Sequence, residues 1–564
     1  MSCYILGTGL SHDGSACLLN DGKIIVAIEK ERLSRVKHDG GNDSLAVKYC
    51  LDAAGIKAAD LTLIVQAANF EIDIAKDRYN GSRHFTEDLQ VPVVTLSHHL
   101  AHAWSAAAAS PFSECNVMVL DGAGSPYKHC LDLDGAFIPT QNFDTGMFCE
   151  KDSFYHFDGS TLTPLYKDFS EVRLFEESSR LKLPTNYHSI GGLYSAASFY
   201  CFRNMDDAGK LMGLAPYGNL DNKPALFNLD NGRVEVNYES VNSWFTNPAI
   251  DYQYFKNKFA HYADIARWVQ DETEKAVSYL FTERQRAYPH PNVAYAGGVA
   301  LNAVANKKLM QLPGIKQLYM QPAAGDNGLA IGCAWYGWHT VLDNGKQPVC
   351  DSPFMGRRYV DAEIRLAIKQ VEQTDNVVLK VIETQDPVTE TAALLADGKI
   401  VGWFQGGAEF GPRALGHRSI LADPRSAEVR DHINREIKFR EDFRPFAPAV
   451  RKEDVHQYFE HGWDSPYMIL VDNINPEWRD LIPAVVHRDG TCRVQTVTAD
   501  WNARFYNLIG AFKDLTGVGV LLNTSLNKKG MPIVETPLQA IELFFSGAMD
   551  VLVIENFIIY KNKP

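Results

Sequence analysis

The stretch 293-VAYAGGVALNAVANKKLM-310 decides the fold class. Its first four residues form an apolar strand signal, Gly297-Gly298 breaks the run, and apolar residues then resume as a helix. A strand that turns on glycine straight into a helix is the repeating element of an α/β layer. Glycines at such a turn also let backbone N–H groups approach phosphate oxygens. The same grammar recurs in 323-AAGDNGLAIGCAWYGW-338, in 116-NVMVLDGAG-124, and in 91-VPVVTLS-97, which leads into a helical stretch from His98 through Ala109. Toward the N-terminus, CYILGTGL, ACLLNDG and KIIVAIE alternate with turn signals, and Asn20-Asp21-Gly22 supplies a β-hairpin turn.

These units predict an α/β domain over residues 1–350, ending in the polar stretch 343-DNGKQPVCDSPFMGRR-358. The buried-strand signal in 398-GKIVGWFQGG-407 opens a second α/β domain, 351–564, which closes on the apolar strands of VGVLLNTSLN and DVLVIEN. No repeat at a fixed period and no low-complexity tract is visible.

At 564 residues, with 46% hydrophobic and 22% charged residues, the composition is that of a folded multidomain enzyme. The net charge of -14 opposes nonspecific attraction to a phosphate backbone, so nucleic acid is not an expected partner. The ten cysteines form no C-x-x-C pair and read as reduced thiols of a cytoplasmic protein. Neither a secretory signal nor an apolar run long enough for a bilayer is evident, so no membrane partner is expected. A homodimer is the commonest assembly for a soluble enzyme of this size.

SHHLAHAWSAAAAS places His98 and His102 four residues apart on one helical face, where both imidazoles could grip one ion. Asp121 in VLDGAG and Asp326 in AAGDNG, both at strand ends, would complete a His-His-Asp-Asp set. Such a thiolate-free set suits Fe(II), Mn(II) or Mg(II) better than structural zinc. The histidines read equally as helix packing and the aspartates as turn caps. His12, in the glycine-containing loop GLSHDGSA, is a candidate proton acceptor for an incoming hydroxyl, or a turn residue; Asp13 beside it either orients the ring or makes an Asx turn. Arg32, Arg35 and Lys37 follow the hairpin as phosphate-facing cations or a solvated charged face. Gly209 and Lys210 offer a phosphate contact without Walker spacing.

The second domain concentrates Arg413, Arg418, Lys438, Arg440 and Arg444 among prolines, glycines and aromatics, company that solvated surface cations do not usually keep. Arginine presents a planar fork to phosphate or carbamate oxygens, and lysine adds a point charge. Arg493 and the NTSLN turn, with Asn523, Ser525 and Asn527, extend this expected anion and nucleotide pocket.

Taken together, HDGSA, the E-x-x-R-x-x-x-x-K-H run from Glu29 to His38, HHLAHA, VLDGAG, GKLMGLAPYG, GGVALN, GDNG, FGPRALGHRSI, KFREDFRPFAP and NTSLN closely resemble the NodU/CmcH family of O-carbamoyltransferases, in order and over nearly the whole chain. The resemblance implies an N-terminal actin-like ATPase (ASKHA, TsaD-like) domain and a C-terminal YrdC-like domain. It implies that ATP, with Mg(II), and carbamoyl phosphate form carbamoyl adenylate, whose carbamoyl group passes to a hydroxyl of a small-molecule secondary metabolite. By the same resemblance His12 is the base for the acceptor. His98, His102, Asp121 and Asp326 hold a metal, iron being the expected one. Lys438, Arg444, Arg493 and Ser525 hold carbamoyl phosphate, with Arg413 and Arg418 close by. From the residues themselves, Lys37, Gly209, Lys210, Gly297, Gly298, Arg413, Arg418, Asn523 and Asn527 are the expected nucleotide contacts. The short loop before His12 and Leu526 in NTSLN depart from the pattern. A tRNA threonylcarbamoyl transferase and a non-catalytic actin-like nucleotide switch are the alternatives; the acidic balance disfavours the first, and the arginine-rich pocket disfavours the second.

Overall fold

The computed structural model describes residues 2–40, 44–67, 90–140, 148–171, 188–220, 222–345, 352–375 and 377–561; Cys350, with the rest of 346–351, lies outside them. The chain divides into two units, Met1–Lys30 with His38–Asp351, and Glu31–Lys37 with Ser352–Pro564.

The first unit contains two five-stranded sheets. In one, β1 (Tyr4–Gly9), β2 (Ser15–Asn20), β3 (Lys23–Glu29), β4 (Leu63–Ala67) and β5 (Val93–Leu96) lie in the order β3-β2-β1-β4-β5. In the other, β6 (Cys115–Leu120), β7 (Phe148–Phe157), β8 (Leu162–Glu171), β11 (Asn292–Ala296) and β12 (Gln317–Met320) lie in the order β8-β7-β6-β11-β12; a small hairpin, β9 (Phe227–Asp230) and β10 (Arg233–Val236), stands apart. The two orders are the same: a three-stranded antiparallel meander, then two parallel strands added beside its first strand. This duplication, which no sequence period announces, is the arrangement expected of an actin-like fold. The hairpin turn is as read: Asn20 pairs with Lys23, and Asp21 and Gly22 take φ of 46° and 76°.

Each sheet ends by feeding a helix, His98–Ala109 after β5 and Leu329–Tyr336 after β12. The alanine-rich first helix is buried on every side, which explains its lack of a polar face. The second approaches it backbone to backbone, because a Cβ at Gly332 would stand 1.8 Å from the Ala101 carbonyl oxygen.

In the second unit, β13 (Leu379–Glu383), β14 (Val401–Phe404), β15 (Arg418–Ala422), β16 (Ala447–Arg451), β19 (Gln495–Val497), β20 (Val520–Ser525), β21 (Val551–Ile554) and β22 (Phe557–Lys561) form one mixed sheet, ordered β13-β22-β21-β14-β15-β20-β16-β19. A ribbon of β17 (Val471–Asn473) and β18 (Thr491–Arg493) accompanies it. Val401, Ile420, Leu522 and Leu552 are wholly buried, the reason these strands read as unbroken apolar runs. Segment Glu31–Lys37 completes this unit: Arg32 donates to the Gly411 carbonyl at 2.7 Å, and Arg35 to those of Ile533 and Pro532 at 2.7 and 2.9 Å. Arg32, only 1% exposed, is thus neither a solvated charge nor part of a charged face.

Among the described residues none of the nine cysteines is in a disulfide, and no helix is long and apolar enough to cross a membrane.

Candidate functional site

The duplicated topology of the first unit brings corresponding places of its two halves to one point. The β1–β2 loop carries His12 and the end of β6 carries Asp121, while the helix after β5 carries His98 and His102 and the turn after β12 carries Asp326. His98 Nε2 lies 3.1 Å from His102 Nε2, 3.2 Å from Asp121 Oδ2 and 3.3 Å from Asp326 Oδ1; His102 Nε2 is 3.5 Å from that same Asp326 oxygen. Adjacent ligands of a divalent ion bonded at about 2.1 Å stand roughly 3.0 to 3.4 Å apart; three of these four separations fall in that range, and all four ligand atoms lie within 4.8 Å of one another, so the buried group could hold such an ion. Their electrostatics agree. Burial alone would lower the His98 imidazole, but Asp326 and Asp121 raise it to about 10. Burial would likewise raise both aspartates, but hydrogen bonding from His98 holds Asp121 below the carboxylate range, and the charges of His98 and His12 hold Asp326 well below it. Two buried carboxylates draw positive charge, which a proton or a cation can supply.

Gly297-Gly298 supports this centre: the Gly298 N–H donates to Asp121 Oδ1 at 2.9 Å, leaving Oδ2 toward His98. Gly297 has φ of 93°, and a Cβ there would meet the Leu120 carbonyl oxygen at 2.1 Å. Gly297→Ala is therefore expected to cost more than about 2 kcal/mol through strain and backbone clash. A thermal midpoint equal to wild type would contradict this.

His12 Nδ1 lies 2.9 Å from Asp326 Oδ2, which directs Nε2 away from the aspartate. Its side chain is 59% exposed. Asp13 accepts from His38 Nδ1 at 2.9 Å, with its other oxygen 3.7 Å from His12 Nε2, so the acceptor that orients His12 is Asp326 and not its neighbour in sequence.

In the second unit, Arg413, Lys438, Arg440, Arg444 and Arg493 converge. Burial lowers the Lys438 ammonium well below the ordinary lysine value, and the charges of Arg440 and Arg444 lower it further. Arg493 is depressed by burial and then by Arg413, Arg440 and Arg444; Arg413 falls to about 10 by burial and the charge of Arg444. Lys438 Nζ donates to Ser525 O, to Ser525 Oγ at 3.1 Å and to Asn527 Oδ1 at 2.7 Å, gathering the NTSLN turn into the cluster. Glu441 offers Arg444 a contact at 3.9 Å. The buried Nε atoms of Arg413 and Arg493 have no hydrogen-bond acceptor among the described residues. Converging cations, two of them with an unpartnered Nε among the described residues, could receive an anion.

Other expected contacts have different partners. Arg418, wholly buried, donates to the carbonyls of Gln405, His417, Gly406 and Glu535 and lies 3.5 Å from the Phe404 ring centroid, so its donors brace the loop and do not join the cluster. Asn523 is 1% exposed, its amide donating to Ala414 O and Gln495 Oε1. Lys37 lies 3.9 Å from Glu31 in the second unit, and Lys210 is 2.5 Å from Asp207. Around Gly209 the space is open. Sequence reasoning passed over Glu409, whose Oε1 accepts the N–H groups of Leu415, His417 and Arg418, and the buried Glu150, Lys167 and Asp132. Charged residues inside apolar strands, as in FCEKDSFYHF, were the available signal.

Comparison with known proteins matches this architecture throughout. The family profile "Carbamoyltransferase N-terminus" covers residues 4–79 and 61–335, and "Carbamoyltransferase C-terminus" covers 392–561. Nodulation protein NolNO of Sinorhizobium fredii is 31% identical over 98% of this chain and 79% of its own length. The 3'-hydroxymethylcephem-O-carbamoyltransferase of Streptomyces clavuligerus is 27% identical over 92% of each, and an uncharacterised Synechocystis protein, sll1178, is 33% identical over 99% of this chain and 97% of its own. With both halves matched and its motifs placed on the duplicated sheets and the mixed sheet, the chain belongs to the carbamoyltransferase family and is a transferase enzyme.

Proposed function

We propose that this enzyme spends ATP to carbamoylate a hydroxyl of a small molecule, with activation in the second unit and transfer in the first. The observation that carries the reading is the group of buried cations around Lys438, in which the Nε atoms of Arg413 and Arg493 have no acceptor among the described residues. Lys438, Arg444, Arg493 and Ser525 bind carbamoyl phosphate, and Arg413 and Asn527 extend the grip to nucleotide. Carbamoyl phosphate loses its phosphate to water, and the carbamate oxygen attacks the α-phosphorus of ATP, which enters as its magnesium complex. Carbamoyl adenylate forms and pyrophosphate leaves.

In the first unit, His98, His102, Asp121 and Asp326 hold a divalent cation, Fe(II) or Mn(II) by their donor set. When bound, such an ion supplies Lewis-acid polarisation of the carbamoyl group. Asp326 orients His12 through Nδ1, and His12 Nε2 takes the proton of the acceptor hydroxyl as its oxygen attacks the carbamoyl carbon and AMP departs. General-base assistance of this kind is worth about 10²- to 10⁴-fold. The reading of a secondary metabolite as the acceptor is supported by the name of one relative, a 3'-hydroxymethylcephem-O-carbamoyltransferase.

Pyrophosphate release from ATP by the purified enzyme is expected to require carbamoyl phosphate. Release at the same rate without it would overturn this reading and favour a nucleotide switch.

A further inference from the structure

Behind the four candidate ligands lies a buried network that the chemistry above does not use. The helix His98–Ala109 begins at Ser97, yet Ser97 makes no capping bond to it; its hydroxyl donates instead to Asp132 Oδ1 at 3.0 Å. The helix's first N–H groups are satisfied from elsewhere. His99 N–H donates to Glu150 Oε2 at 3.2 Å, and His98 N–H donates to Ser125 Oγ at 2.8 Å. Ser125 N–H donates to the same Glu150 oxygen at 2.9 Å. One carboxylate oxygen on β7 thus ties the start of the helix bearing His98 and His102 to the loop that leaves Asp121.

Glu150 is wholly buried, and a carboxylate there needs a counter-charge. Lys167 on β8 supplies it, its Nζ 2.5 Å from Glu150 Oε1 and 2.6 Å from Asp132 Oδ2, with the Tyr155 hydroxyl 2.7 Å from that Asp132 oxygen. Cys130, Asp132 and Glu150 converge as metal ligands do, but the lysine ammonium already stands as their cation. A negative group at a helix N-terminus is favoured by the helix dipole as well as by its hydrogen bonds.

We infer that Glu150, with Lys167 as its counter-ion, is a positioning residue that sets the spacing between the His98/His102 helix and the Asp121 loop. It touches no candidate ligand atom and acts through two N–H groups. The inference rests on the reading that those four residues hold a divalent cation, and the test separates the two.

Mn(II) is titrated into the full chain, followed by the loss of its free-ion paramagnetic resonance signal, alongside thermal midpoints. Glu150→Gln/Lys167→Met removes both charges but keeps an acceptor for the two N–H groups; Glu150→Leu/Lys167→Met removes the acceptor as well. The leucine variant is expected to bind Mn(II) about 10- to 100-fold more weakly than wild type, and the glutamine variant within about threefold of it, as for residues that orient metal ligands. A purely structural role would move thermal midpoints without separating the two variants in affinity. Equal affinities in both overturn the inference, whether retained or lost. Should the leucine variant not fold, Glu150→Asp decides, because the shorter side chain keeps the charge but withdraws the acceptor from the two N–H groups: a several-fold weaker affinity supports the inference, and wild-type affinity overturns it. Wild type and His98→Ala binding Mn(II) alike would overturn the metal reading itself.

Discussion

Lys438→Ala is expected to cut carbamoyl-phosphate-dependent pyrophosphate release by on the order of 100- to 1000-fold, the usual cost of losing one oriented donor to a reacting anion. The side chain is 2% exposed, and its ammonium is directed by Ser525 and Asn527 into a group of four arginines. Release retained within a few-fold would place the activation chemistry elsewhere. The same substitution carries a pH signature. A lysine whose folded pKa lies below its ordinary value binds its proton less readily when folded than when unfolded. Stability therefore rises as pH climbs from the folded value toward about 10.4. Lys438→Ala should flatten that rise in thermal midpoints measured across the alkaline range, and an unaltered slope would assign the rise to other groups.

Asp326→Asn is expected to weaken Mn(II) binding by at least about 100-fold, more than the loss of a residue that merely orients a ligand, while leaving carbamoyl-phosphate-dependent pyrophosphate release near wild type. Asp326 faces three imidazoles, His12 at 2.9 Å, His98 at 3.3 Å and His102 at 3.5 Å, so one substitution removes a ligand and the partner that orients the base. An asparagine amide offers one neutral oxygen in place of a carboxylate that its neighbours hold ionised. Mn(II) affinity unchanged in this variant would remove Asp326 from the ligand set. Loss of pyrophosphate release would show instead that activation depends on the first unit.

The two variants would separate the proposed activation from the proposed transfer, because the groups they remove belong to different units of the chain. The matches to NolNO and to the cephem O-carbamoyltransferase cover 98% and 92% of this chain.

Much of this was legible in residue order. The strand–glycine–helix units, the Asp21-Gly22 turn, the helix His98–Ala109 and the facing of His98 with His102 all depend on neighbours within a few positions, where the periods of strand and helix are written directly. The four candidate ligands and the cations around Lys438 were readable too, because such residue types among glycines, prolines and aromatics fit neither an ordinary core nor an ordinary surface. The tertiary structure alone decided the partners of the charges. Arg418 reads like Arg413 in FGPRALGHRS, yet one braces four carbonyls and the other lies beside Arg444 and Arg493. Arg32 and Arg35 follow a hairpin of the first unit but complete the second. Glu150 and Lys167 look like ordinary strand charges until β7 and β8 pair and bury them under a helix that begins some fifty residues earlier. The duplication of the first unit is likewise a property of strand order and not of sequence period. Backbone periodicity is a local property and can be read along the chain, whereas a buried charge is stable only against partners that strand pairing brings from far away, and that pairing exists only in the folded molecule.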